Sequence, residues 1–89
     1  MEINFTTQIW KEGKMYVSYC SELDVSSCGT TVGKARENLL EAVEGFLEEA
    51  KRMGTLGVIL EESGFIKQGP KNWIAPEWVS LEREKMSLI

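Results

Sequence analysis

Both cysteines of the chain lie with two carboxylates in one short segment, YCSELDVSSCGTT, at residues 19–31. Cys20 and Cys28 could form a redox pair or supply two ligands to a metal ion. Reactive pairs usually lie closer together, as in C-x-x-C, and a zinc site requires four ligands. Because the chain has no histidine, the two missing ligands could only be carboxylates. The spacing therefore favours two separate thiols, Cys20 as a small buried strand residue and Cys28 beside a turn.

Glu22 and Asp24, between the two cysteines, form an acidic pair that could hold Mg²⁺ or perform acid–base chemistry. A two-metal nuclease would need three or four carboxylates that converge from strands and a helix. The acids of the following helix are predicted on its solvent-exposed face. The absence of histidine also excludes a Ser-His or Cys-His nucleophile arrangement. We therefore favour an exposed charged loop at Glu22 and Asp24, and we predict no catalytic residue, no metal ligand and no cofactor.

Length and charge limit the classes of protein that this chain can belong to. Its 89 residues predict a single domain, residues 1–89, with one small core, for which oligomerisation is expected. Nucleic-acid binding normally requires a basic surface, so a net charge of −4 argues against direct DNA or RNA binding and favours a basic protein partner. No apolar run is long enough to span a bilayer, and MEINFTTQIW does not have the pattern of a signal peptide. We expect a cytoplasmic protein without membrane contact.

Alternating apolar and polar residues predict a β-hairpin near the start of the chain. Residues 2–10 form its first strand, KEGK provides the loop, and residues 15–20 form the second strand. One face of this second strand carries the small side chains of Ser18 and Cys20, so we expect another element to pack closely against it. Residues 25–28 could add a short third strand.

A long amphipathic helix follows, and it is the most clearly marked element. Thr31 is its predicted N-cap and Gly54 the residue just beyond its end. The apolar residues recur at three- and four-residue steps: Val32, Ala35, Leu39, Val43, Phe46, Ala50 and Met53. The opposite face carries Glu37, Glu41, Glu44, Glu48 and Lys51. This acidic face is either plain solvated surface or a surface that binds a basic partner.

Smaller elements are predicted in the rest of the chain. Residues 55–63 predict a short helix that stops at Gly64, residues 65–66 and 73–74 flank a turn and could pair, and residues 78–89 could form a final strand. The predicted class is α+β, with an antiparallel sheet of three to four strands packed on one long helix in the order β-β-β-α-β.

The ordered motifs resemble the HicB family of antitoxins. They are Y-V-x-Y-C-x-E-L-D, a small-residue strand that ends in S-x-G-x-T, and a helix that contains A-x-x-N-L-x-E-A. The matching residues are Tyr16, Val17, Tyr19, Cys20, Glu22, Leu23, Asp24, Ser27, Gly29, Thr31, Ala35, Asn38, Leu39, Glu41 and Ala42. The resemblance covers roughly residues 3 to 50. Ser21 stands where the family often has proline and Lys34 where it often has glutamate, and the residues after Gly64 are too few for the family's DNA-binding domain.

The resemblance implies a partial ribonuclease H-like fold that lacks catalytic residues. HicB antitoxins bind and inhibit HicA, a small basic ribonuclease that degrades messenger RNA, and they often form dimers or higher oligomers. We therefore predict a non-enzymatic antitoxin with Glu22, Asp24, Trp73 and Trp78 as candidate partner-binding residues. The two tryptophans could instead complete the core. The alternatives are a stand-alone oligomeric structural or regulatory domain and the Mg²⁺-dependent nuclease considered above.

Overall fold

A computed structural model describes residues 1–89 and contains six strands and two helices. In chain order these are β1 (Glu2–Ile3), β2 (Gln8–Glu12), β3 (Met15–Cys20), β4 (Val25–Gly29), α1 (Val32–Arg52), α2 (Leu56–Glu62), β5 (Ile66–Gln68) and β6 (Asn72–Ile74). The predicted α+β class is confirmed, with an antiparallel three-stranded sheet packed on one long helix. Neither helix has the length and apolar character that crossing a membrane requires.

The strands form two three-stranded sheets. In the first, β2, β3 and β4 are consecutive antiparallel neighbours. In the second, the order is β1-β6-β5, with β6 parallel to β1 and antiparallel to β5. The predicted pairing across the KQGPKN turn is confirmed, since Ile66 lies opposite Ile74.

The single strand predicted over residues 2–10 is wrong, because the segment is divided between the two sheets. β1 pairs with β6 while β2 pairs with β3, so residues 4–7 belong to neither ladder. Two groups in the break bind elsewhere: the Asn4 Oδ1 atom accepts from the Ala75 N–H at 2.6 Å, and the Thr6 N–H donates to Glu22. The N-terminal segment therefore joins the two sheets.

Close packing on the small-residue face of β3 is confirmed. Ser18 and Cys20 are fully buried where α1 lies over the first sheet. Gly29, at the end of β4, allows the start of α1 to approach so closely that a Cβ atom there would lie 2.5 Å from the Ala35 nitrogen. Small side chains on β3 and no side chain at Gly29 thus set the distance between helix and sheet.

Both predicted ends of α1 are confirmed. The Thr31 Oγ1 atom accepts a hydrogen bond from the Lys34 N–H at 3.0 Å, as an N-cap does, and Gly54 follows the helix with a φ of +74°. Val32 and Met53, at the two ends of the predicted apolar stripe, are exposed. The core consists of Cys20, Leu23, Leu39, Val43, Ala50, Leu56, Leu60, Phe65 and Trp73.

The final strand predicted over residues 78–89 is wrong. α2 ends before Gly64, as predicted, and β5 and β6 follow, but residues 75–89 form neither helix nor strand. None of the backbone–backbone hydrogen bonds involves residues 75–89. This segment runs beside β2 without joining it, and a groove separates the two.

Candidate functional site

Two of the predicted partner-binding residues, Glu22 and Trp78, meet at Thr6. The Glu22 Oε1 atom accepts hydrogen bonds from the Thr6 N–H at 3.0 Å and from the Cys20 thiol at 3.6 Å. The Trp78 Nε1–H donates to the Thr6 Oγ1 atom at 2.7 Å. Glu22 and Trp78 also line one cleft with Pro76, although they are far apart in the sequence. This junction attaches residues 75–89 to the residues just before β2.

The freely exposed loop predicted at Glu22 is wrong, because this side chain is half-buried and holds the loop to the N-terminal segment. Leu23, next to it, lies in the core. Burial would raise the pKa of Glu22, but the hydrogen bonds from Thr6 outweigh it and hold the pKa below its usual value. The second carboxylate oxygen, Oε2, is buried without a hydrogen-bond partner. Glu22 is therefore an ionised carboxylate that hydrogen bonds from Thr6 and Cys20 stabilise.

Cys20, beside this carboxylate, is buried and free. Burial raises its pKa to about 11, and the charge of Glu22 acts in the same direction, against backbone hydrogen bonds that lower it. A thiol that stays protonated at neutral pH is a poor nucleophile and a poor metal ligand. Its buried position in β3 agrees with the interpretation of Cys20 as a small core residue.

Asp24 binds a different partner from Glu22. It is exposed, has a φ of +54°, and accepts a hydrogen bond from the Tyr19 hydroxyl at 2.8 Å, which raises the pKa of Tyr19. The nuclease alternative requires at least a third carboxylate beside this pair. No three His, Cys, Asp or Glu side chains lie close enough together to hold a metal ion.

Trp73 lies in the core, which was one of the two alternatives for the tryptophans. Only 7% of its surface is exposed, and the Lys67 ammonium lies 5.9 Å from its ring centre. Little of the ring is left to touch a partner. Trp78, by contrast, is 45% exposed beside the Thr6 junction.

One further candidate surface, which was not predicted from the sequence, is the exposed side of the first sheet, and we call it the open face. We use this name for the side of β2-β3-β4 that α1 does not cover. Its residues follow from the strand register: Gln8, Trp10, Glu12, Met15, Val17, Tyr19, Ser26 and Cys28. Trp10 could have been found from the sequence, because it continues the polar positions of the 2–10 alternation, where a large apolar residue is out of place.

The centre of the open face is aromatic and partly accessible. Trp10 is 42% exposed and meets Tyr19 edge to face, with 6.3 Å between the ring centres. The Trp10 indole N–H donates to a Glu12 carboxylate oxygen at 3.2 Å, which holds the ring in place. Val17 lies between Trp10 and Cys28 across the three strands. Apolar clusters of this kind, accessible and rich in aromatic residues, are typical of protein-binding surfaces.

A second candidate surface is a groove of about 480 Å³ between α1 and the N-terminal segment, which we call the acid-rimmed groove. Its lining is mainly apolar: Met1, Ile3, Phe5, Leu40, Val43, Leu47 and Leu56, with Glu44, Glu48 and Lys51 at its border. Glu37 and Glu41 precede Glu44 and Glu48 at four- and three-residue steps, so all four lie in one row along the helix. The acidic face of α1 therefore borders apolar surface.

Neither a protein-family model, nor a curated protein, nor a solved structure matches this chain.

Proposed function

We propose that this chain is a HicB-like antitoxin-type protein of the cytoplasm that binds and inhibits a small basic HicA-like ribonuclease. The observation that carries the proposal is the acid-rimmed groove. It offers one partner both apolar area and a row of carboxylates, which is the combination that a basic protein with an apolar patch would bind.

Inhibition follows from charge. A ribonuclease must present positive side chains to the phosphates of its RNA. The four glutamates in the row cover eleven helical steps, or about 16 Å at 1.5 Å per residue. A partner that places its basic surface against this row can no longer bind RNA there. In this proposal the antitoxin acts by competition and needs no chemistry of its own.

Two further observations support the family assignment within this proposal. The motifs quoted from Tyr16 to Ala42 fall on β3, β4 and α1 in the expected order. After the helices, β6 returns beside the N-terminal segment, so a strand follows the helical part, as in the β-β-β-α-β order. Trp78 and Asp24, which are both exposed, remain candidates for additional contacts outside the groove.

The test is a binding titration against the small basic protein encoded in the adjacent reading frame. Replacing Glu44 and Glu48 with lysine places like charges opposite a basic partner, which costs several kcal/mol, so we expect binding to weaken by about 100-fold or more. Inhibition of RNA cleavage should be lost in parallel.

The matched control is Glu61→Lys with Glu62→Lys, which makes the same change of net charge on α2. Both residues are exposed and neither lines the groove. The control should bind within about three-fold of the unaltered protein, since this corresponds to less than 1 kcal/mol. Equal loss of binding in the two double variants would refute the groove as the site. Failure of the unaltered protein to bind any such neighbour would refute the antitoxin proposal.

A second candidate function is the stand-alone oligomeric structural or regulatory domain, which the open face favours. Trp10 and Met15 expose apolar surface there with no element of the chain over it. Sedimentation analysis tests this candidate, and a strict monomer at micromolar concentration would refute it.

A further inference from the structure

The C-terminal segment, residues 79–89, is the most exposed apolar part of the chain. Val79 is 93% exposed, Leu81 74% and Leu88 89%. In an extended chain Val79 and Leu81 project to the same side. The backbone of this segment makes no backbone–backbone hydrogen bond. It therefore carries apolar side chains and unpaired backbone groups, both of which a sheet edge can satisfy.

The same chain exposes a sheet edge that can receive such a segment. β2 is an outer strand of its sheet, so half of its backbone N–H and C=O groups point away from β3. A groove of about 850 Å³ follows this edge between residues 6–10 and residues 78–83. The chain's own C-terminal segment borders the groove on its far side and leaves the edge unpaired.

The dimensions of the molecule are those of a domain with an extended part. The radius of gyration is 15.3 Å, and the extents are 49 × 30 × 20 Å. A compact domain of this length has a radius of gyration of about 12 Å. The excess agrees with an extended segment that lies outside the packed part of the chain.

Two hydrogen bonds fix where this segment starts and which way it runs. Ala75 is bonded to Asn4, and Trp78 is bonded to Thr6, so the segment advances beside the N-terminal residues in the direction of β2. In a dimer with a two-fold axis perpendicular to the sheet, the partner's β2 runs the opposite way. The segment of one copy is then antiparallel to the β2 strand of the other.

We propose that two copies of this chain exchange their C-terminal segments, each adding the first part of the segment, residues 79–83, as an antiparallel strand to the β2 edge of the other copy. A two-fold axis makes the exchange reciprocal, so every donor segment finds an acceptor edge and the assembly closes. This dimer does not depend on the proposed antitoxin function, because the acid-rimmed groove lies elsewhere, on α1.

The area available is large enough for a stable dimer. β2 has five residues, so it can pair with about five residues of the segment. Residues 79–83 weigh about 0.6 kDa and expose on the order of 850 Å² as an extended chain. Covering half of this in each copy buries about 850 Å² on the two segments, and the receiving edges bury about as much, for a total of roughly 1,700 Å². A standard stable interface buries about 1,600 Å² in total.

The first test is the mass of the full-length chain in solution by analytical ultracentrifugation. The unaltered protein should be a dimer at micromolar concentration. Val79→Asp with Leu81→Asp should yield the monomer mass, because two buried carboxylates oppose strand addition. The control Ser80→Asp with Ser87→Asp adds the same charge to the segment, at Ser80 on the side opposite Val79 and Leu81 and at Ser87 beyond the paired residues, and it should remain a dimer. A monomeric unaltered protein, or a Val79/Leu81 variant that remains dimeric, would overturn the proposal.

A mixing experiment separates segment exchange from any other dimer. Glu12 and Met15 flank the two-residue turn, so the next pair along, Lys11 and Tyr16, leaves the Lys11 N–H pointing to the open edge. Lys11→Pro removes this donor, and the variant should be monomeric with unchanged helical circular dichroism. Mixed with the Val79/Leu81 variant, it should form a heterodimer. The Lys11→Pro chain then supplies an intact C-terminal segment, and the Val79/Leu81 variant supplies an intact β2 edge that can bind it. Two folded variants that stay monomeric when mixed would refute the exchange.

Discussion

Replacing Gly29 with alanine should lower the stability of the fold strongly, because Gly29 lies where the start of α1 crosses the end of β4. An added Cβ atom would lie 2.5 Å from the Ala35 nitrogen and 2.8 Å from the Lys34 carbonyl carbon. Both are backbone atoms of the first helical turn, so the clash cannot be relieved by rotating a side chain. Reaching an ordinary contact of 3.4 Å requires the helix to move by about 0.9 Å. This shift would loosen its packing over Ser18 and Cys20.

The expected magnitude lies at the upper end of the cost of overpacking, about 3 kcal/mol. The total stability of an 89-residue domain is roughly 4–13 kcal/mol, so the loss is a large fraction of it. It corresponds to a fall in the melting temperature of roughly 12–24 °C, at about 4–8 °C per kcal/mol for a domain of this size.

Gly45→Ala provides the matched control. Gly45 lies on the exposed side of α1, and a Cβ atom there would meet nothing within 4 Å. Because alanine favours the helical state over glycine by about 1 kcal/mol, this variant should melt about 4–8 °C higher.

Both variants are compared with the unaltered protein by thermal and urea unfolding, followed by far-UV circular dichroism. Opposite changes in stability from the same chemical substitution are the expected result. A Gly29→Ala protein that loses less than about 1 kcal/mol would refute the close approach of α1 to β4, since overpacking there should cost more.

Two further predictions concern the groups near the Thr6 junction. At pH 8 a thiol with a pKa of about 11 is roughly 0.1% ionised. Cys20 should therefore be alkylated at least about 100-fold more slowly than the exposed Cys28, as measured by mass spectrometry of the labelled peptides. Similar alkylation rates for the two cysteines would contradict the burial of Cys20. Folding lowers the pKa of Glu22, so ionised Glu22 stabilises the folded state. This contribution to the free energy of unfolding is complete above the pKa of Glu22 in the unfolded chain, and it is lost as the pH falls through the pKa of Glu22 in the folded protein. Unfolding titrations should therefore show that Glu22→Gln reduces the loss of stability in acid below about pH 4.3, and an unchanged acid dependence would show that the hydrogen bond from Thr6 does not favour the ionised form.

The elements that the sequence predicted well are those that local signals determine. The N-cap at Thr31, the end of α1 at Gly54 and the small-residue face of β3 each follow from neighbouring residues in the chain. Helix ends and strand faces depend on hydrogen bonds and periodicity within a few residues, so a single sequence contains the information.

The features that the sequence did not predict depend on residues far apart in the chain. The break between β1 and β2 exists because Glu2 and Ile3 pair with a strand about 70 residues later. Glu22 is half-buried because Thr6 lies beside it, and nothing in the ELD segment indicates this neighbour. The chemistry of the candidate site is thus set by long-range packing.

The apolar wall of the acid-rimmed groove was also missed, for a different reason. Leu40 and Leu47 lie outside the apolar stripe that the helical periodicity marked for the core. They widen the apolar surface of α1 toward the N-terminal segment, where Phe5 approaches it. The apolar stripe of α1 is thus wider than the part that packs in the core. This extra width is the sequence signal that could have indicated a binding surface.

The parallel pairing of β1 with β6 also determines when the protein can fold. Glu2 lies opposite Asn72 and Ile3 opposite Trp73, so the second sheet cannot close until residues 72–74 have left the ribosome. The β2-β3-β4 meander and α1 connect residues that lie closer together in the sequence, so they can form earlier during synthesis. At that stage the apolar side chains of Ile3 and Phe5 are not yet covered by the second sheet. Contacts of such long sequence separation form slowly. The residues of the first sheet and α1 are thus all synthesised before the last strand of the second sheet, which is the last element of the fold that can pair.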